Sequence, residues 1–158
     1  MDVHFGFSWT GLIVFLLPMI INIFYAVFPP TGKNKDIFKN NKYPVLESVE
    51  QISRIVYVIL ICVLVSNKPL NYRNPLMFVS GTFLLFYIIV YVRYFIGGRK
   101  ADLLAESFLM ISQPVSVFPV LYFLFAALWM DNPLAALVMV VFGVAHNIVV
   151  YRNLQTLE

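Results

Sequence analysis

Charge is scarce in this sequence. Asp, Glu, Lys and Arg make up 12% of its 158 residues, against about 25% in a soluble domain. Cysteine is scarcer still. The one thiol, Cys62, excludes an internal disulfide and a thiolate metal site. It lies inside an apolar run and reads as a small buried hydrophobe. The net charge of +3 is modest and its basic residues fall in loops. That distribution fits the positive-inside rule rather than nucleic-acid binding.

Catalytic and nucleotide-binding signatures are missing as well. The chain has no G-x-x-x-x-G-K-[ST], G-x-S-x-G, C-x-x-C, G-x-G-x-x-G or H-E-x-x-H. Nothing therefore points to a phosphate-binding loop, a serine nucleophile elbow, a redox pair or a zinc helix. There is no internal repeat or low-complexity tract. A secretory signal is not expected, because only Asp2 and His4 precede the first apolar run and a positive n-region is lacking. No cofactor, metal ligand or catalytic residue is assigned from the sequence.

Apolar residues are abundant. They make up 61% of the chain, with a mean hydropathy of +0.83, which places it among integral membrane proteins. The expected fold is all-α: a polytopic helical bundle forming one transmembrane domain over residues 1–158. Crossing a ~30 Å hydrocarbon core takes about 20 helical residues. On that measure five spans are expected, at about 8–28, 47–66, 76–96, 107–129 and 133–151. Pro18 interrupts the first span, which membrane helices tolerate if a neighbour satisfies the freed carbonyl. The second span must start near Glu47, because residues 52–66 alone are too short. The fourth is expected as a long helix kinked at Pro114 and Pro119. The alternative is an interfacial or re-entrant segment over 101–113, which would reduce the count to four. Gly97-Gly98 should end the third span, and Asn132-Pro133 should cap and open the fifth.

Loop charges then orient the chain. An outer N-terminus places Lys33, Lys35, Lys39, Lys42, Arg99, Lys100 and Arg152 inside, leaving Lys68 and Arg73 outside. Trp9 and Trp129 fall at the outer interface, where aromatic belts form. The expected location is the cell membrane, with a cytoplasmic C-terminus.

A rise of 1.5 Å per residue gives each polar side chain a depth. Asn22 lies ~9 Å from the inner end of its span, Arg54 ~10 Å, Gln113 ~9 Å and His146-Asn147 ~6–8 Å. Four spans thus contribute polar groups to one inner layer. Glu47, Glu50, Gln51 and Arg54 share a helix face, and Glu50 can pair with Arg54, lowering the cost of immersing either. Glu47, Glu50, Arg54, Asn22, Gln113, His146 and Asn147 are therefore expected as a cytoplasm-facing ligand site. Tyr87, Tyr91 and Arg93 are candidate pocket-lining residues. The bland reading is a snorkelling ion pair with amides and tyrosines as packing contacts.

Size and span number resemble the translocator protein family. The resemblance is architectural and implies binding of hydrophobic ligands. That family is tryptophan-rich in its helices, whereas this chain has two tryptophans, so no residue is carried over. The expected function is binding or carriage of an amphipathic small molecule or lipid, with membrane lipids as surroundings. One alternative is an accessory or immunity-type subunit, presenting a small-residue surface (Ser80-Gly81, or Ala136 and Gly143) to a membrane protein partner or a second copy. A second alternative is a membrane enzyme acting on a lipidic substrate through a Glu/His acid–base pair.

Overall fold

The computed structural model describes residues 3–31 and 43–154. Lys33, Lys35, Lys39 and Lys42, used above to orient the chain, lie outside the described residues. Six helices and one small sheet are present among those described: β1 (Val3–Phe5), α1 (Trp9–Val27), α2 (Pro44–Val63), β2 (Leu64–Ser66), α3 (Pro75–Ile96), α4 (Asp102–Ala105), α5 (Pro114–Trp129) and α6 (Pro133–Leu154). The five long helices run antiparallel in chain order. α5 is central, packed against α3 on one side and α6 on the other, and α6 packs in turn on α2.

Three helices are long and apolar enough to cross a membrane: α1, α3 and α6. That is the make-up of a membrane protein. α5 is apolar but has 16 residues, and α2 carries Glu47, Glu50 and Arg54.

The pattern on α2 is inverted relative to a soluble amphipathic helix. Its buried residues are Glu50, Ser53, Tyr57 and Ile61, at helical spacing. Its apolar side chains face outward, Ile52 being 62% exposed and Ile55 59%. In water that arrangement would be costly; against lipid it is the favourable one.

Sequence-level stops and starts account for most helix ends. Ser8 caps α1, its Oγ accepting from the Gly11 N–H at 3.0 Å. Pro44, Pro75, Pro114 and Pro133 each open a helix, where the missing N–H costs nothing. Gly97 ends α3, and Gly98 takes a left-handed φ of 81°.

Two expectations are corrected. The span expected from 107 is not helical there. α4 is a single turn, Phe108 and Ile111 bridge a tight turn, and the helix begins at Pro114. Leu109 and Met110 at that turn have φ of 49° and 65°, which no helix interior accommodates. The span expected to run to Ser66 stops at Val63, because Leu64–Ser66 pairs with Val3–Phe5 as an antiparallel ribbon. That ribbon was not foreseen.

Buried polar groups tie the helices together through backbone carbonyls. Pro18 cannot donate to the Val14 carbonyl four residues earlier, and the Tyr122 hydroxyl donates to it instead at 2.8 Å. Tyr57 donates to Phe123 O at 2.8 Å and Ser80 Oγ to Tyr122 O at 3.0 Å. Gly11 lets the α1 backbone touch α2, because a Cβ there would strike the Ile61 carbonyl.

Ala136 is buried, and Gly143 packs on Val120 of α5. The small-residue face expected to be free for a partner is therefore spent inside the chain. Ser80 is buried too, while Gly81 beside it faces open space.

Candidate functional site

α1 and α2 meet at the end of the bundle that holds the β-ribbon. There Ser8 N–H donates to Cys62 O at 2.8 Å, and Gly11 abuts Ile61. Beyond that contact, towards the start of α2, lies a cavity of about 860 Å³ whose wall draws on α1, α2, α3, α5 and α6. That volume falls in the range of small-molecule sites, about 300–1,000 Å³.

Glu50 sits at its polar end. The residue is 6% exposed, and its Oε1 accepts from Arg54 Nη2 at 2.5 Å and is 3.1 Å from His146 Nδ1. The Arg54 contact is the i, i+4 pair expected on one helix face. The His146 contact joins α2 to α6. Phe142, one turn before His146, supports both partners. The imidazole stacks on its ring, with centroids 5.1 Å apart and planes 14° apart. The guanidinium carbon lies 5.4 Å from the same ring centroid. An immersed carboxylate with two nitrogen partners has the compensation that burial demands.

On the opposite wall the Tyr87 hydroxyl donates to Asn22 Oδ1 at 2.7 Å. Tyr25, Tyr87 and Tyr91 form an edge-to-face cluster there, with centroids 4.9 Å apart for Tyr87–Tyr91 and 5.9 Å for Tyr25–Tyr91. The rest of the wall is apolar, with Phe15, Met19, Phe123 and Met139 among its residues.

Seven of the ten residues singled out from the sequence line this cavity: Glu47, Glu50, Arg54, Asn22, His146, Tyr87 and Tyr91. Three do not. Asn147 follows His146 by one residue, a 100° turn of the helix, and points to the other side. Its Oδ1 accepts from Ser116 Oγ at 2.8 Å, and its Nδ2 donates to Gly143 O. Gln113 precedes α5 instead of lying inside a span, and with Asn147 it lines a separate pocket of about 310 Å³. Arg93 clamps the segment after α3. Its Nη2 donates to Leu103 O at 2.5 Å and Glu106 O at 3.0 Å, and its Nη1 is 3.5 Å from the Glu106 carboxylate.

Tyr25, Tyr57 and Ser116 also line the cavity, and sequence reading passed over them. The signal was available for two. Tyr57 lies three residues beyond Arg54 and seven beyond Glu50, and Tyr25 three beyond Asn22, so each shares a face with a residue already chosen. Among the described residues, no group of three or more His, Cys, Asp or Glu is placed to hold a metal ion.

Fold and site together define a class: a helical membrane protein with a polar-ended cavity inside its bundle. Compared with family models, curated proteins and solved structures, the chain matches none of them.

Proposed function

We propose that this protein binds an amphipathic small molecule or lipid within its helix bundle. The polar part of the ligand sits against Arg54, Glu50 and His146, and its apolar part among the aromatic and aliphatic side chains of the cavity. One observation carries the reading: a single cavity of about 860 Å³ gathers the immersed charges of α2 and the polar group of α6 at one end of an otherwise apolar wall. Packing alone does not require an Arg–Glu–His cluster beside open volume, because immersed charges are costly and mark functional sites by default.

In this reading all five long helices cross the cell membrane, with the N-terminus outside and the C-terminus in the cytoplasm. α2 crosses because its charged face is turned inward and its apolar face outward. The distribution of Lys and Arg supports the orientation. The cavity then opens nearer the cytoplasmic side, on the inner-leaflet layer.

The test is native mass spectrometry of the gently purified protein, wild type beside Arg54→Ala. An added mass on the wild type that disappears in a folded Arg54→Ala is the expected result. A bare mass in both, after lipid is added back, would move the choice to an accessory subunit with a protein partner.

The 3.1 Å contact between His146 Nδ1 and Glu50 Oε1 favours a second reading, a membrane enzyme using that pair as acid and base. Conversion of a lipid extract by the wild type, abolished in His146→Gln, would select it over simple binding.

A further inference from the structure

The hydrogen bonding of the polar cluster bears on what kind of head group it receives. Glu50 is its internal acceptor, and one oxygen of that carboxylate already serves both Arg54 and His146. The carboxylate is buried behind its partners, while the Arg54 side chain is 47% exposed and lines the cavity. A guanidinium carries five N–H donors in a planar fork, and the Glu50 contact uses one direction of it. Phe142 lies against both the guanidinium and the imidazole, which limits their freedom to turn. The cluster therefore presents oriented donors, with its own negative charge held behind them. Such an arrangement recognises an incoming acceptor, best a planar or tetrahedral oxyanion that can take two N–H groups at once.

The side of entry is also marked. Ile55 and Ile59 belong to the cavity wall, yet are 59% and 54% exposed on the outer, apolar face of α2. The cavity thus reaches the lateral surface beside α2, below the Gly11–Ile61 contact that closes the other end. An apolar chain reaches it from the plane of the membrane, along Ile55 and Ile59, with its head arriving at Arg54 one turn closer to the helix start.

We infer that the ligand is a single-chain amphiphile with an anionic head, a carboxylate or a phosphate monoester. Its head is held by the free donors of Arg54, and its chain enters sideways past Ile55 and Ile59 to lie against Met19, Phe123 and Met139. This rests on the binding reading above and specifies its ligand.

The experiment uses the full-length protein in lipid nanodiscs and four probes sharing one chain: oleate, oleoyl lysophosphatidate, oleyl alcohol and oleylamine. Native mass spectrometry counts the probe retained. Retention of oleate or lysophosphatidate should exceed that of the alcohol and amine by at least about tenfold, the value of one charge-assisted hydrogen bond. Whichever of the two leads identifies the head as carboxylate or phosphate. Arg54→Gln should remove the preference, and Glu47→Gln, one turn nearer the helix start, should keep it. If Arg54→Gln does not fold, the wild-type series decides alone. Equal retention of the alcohol, or better retention of the amine, overturns the anionic head while leaving a binding cavity. Retention of no probe, with an endogenous mass still co-purifying, overturns this inference and spares the binding function. Retention of nothing at all removes both.

Discussion

The amide of Asn132 serves three backbone groups at one corner of the bundle. Its Nδ2 donates to Leu60 O and Leu64 O, each at 3.0 Å, and its Oδ1 accepts from the Ala135 N–H at 3.1 Å. It therefore caps α6 and, in the same contact, ties the end of α2 to the turn before α6. The residue is 1% exposed, so water cannot replace what is lost. Asn132→Ala should cost about 1–3 kcal/mol, from the cap and from the carbonyls left without donors. Asn132→Asp keeps the capping oxygen but turns a second oxygen towards two carbonyls, and should be at least as damaging. Equilibrium unfolding in mixed micelles measures both. If Asp restored near-wild-type stability, the cap alone would account for the residue. Glu50 is the counterpart at the other end of α2, a charged side chain placed as a core residue and compensated by Arg54 and His146.

At the scale of elements, α1 and α5 are each interrupted by a proline, at Pro18 and Pro119. The vacancy in the α1 ladder is filled from α5 by Tyr122. This pairing makes a double-mutant cycle informative. Tyr122→Phe should cost about 1 kcal/mol, because a carbonyl in an apolar surround loses its donor. In a Pro18→Ala background the helix supplies its own N–H, and the same change should cost close to nothing. Equal costs in both backgrounds would mean that the tyrosine acts through packing alone.

The elements also show what was legible beforehand. Helix positions followed from apolar length and from Pro, Gly and Ser at the ends. The polar layer followed from counting 1.5 Å per residue, which is why Asn22, Glu50, Arg54 and His146 come together. Depth carries no azimuth, so it gathered Asn147 with His146 although neighbours on a helix point 100° apart. Gln113 was misplaced because the apolar run before Pro114 resembles helix, and only the left-handed backbone at Leu109 and Met110 reveals a turn there. The Val3–Phe5 and Leu64–Ser66 strands are too short to announce themselves by alternation.

For the whole molecule, the antiparallel order of the long helices puts the β-ribbon, Asn71 and Trp129 at one end, where Trp129 Nε1 donates to Asn71 O at 2.9 Å. Thr31 and Lys100 meet at the other, with Arg152 stacked on Tyr43 at 4.7 Å from its ring centroid. Both tryptophans therefore lie at a common end, opposite the Arg99–Lys100 corner. At the ribbon end Lys68 hydrogen-bonds Asp131 at 2.6 Å and holds its carboxyl below the usual aspartate range. The proposed orientation predicts that, in a Cys62→Ser background, exposed Pro69→Cys is labelled by a membrane-impermeant maleimide in intact cells. Exposed Ser107→Cys is labelled only after lysis. Labelling of both in intact cells would refute the orientation, and the reverse pattern would invert it.

The contact between Tyr122 and Val14 spans 108 positions of sequence. Synthesis proceeds at about 5–20 residues per second, so roughly 5–20 s separate the appearance of the acceptor from that of its donor. Throughout that interval a newly made α1 has an open carbonyl at Val14, which lipid cannot satisfy. The first helix made is thus completed only by one of the last. A chain truncated before Tyr122 leaves the ribosome with its N-terminal helix unfinished, a defect that a quality-control protease could detect.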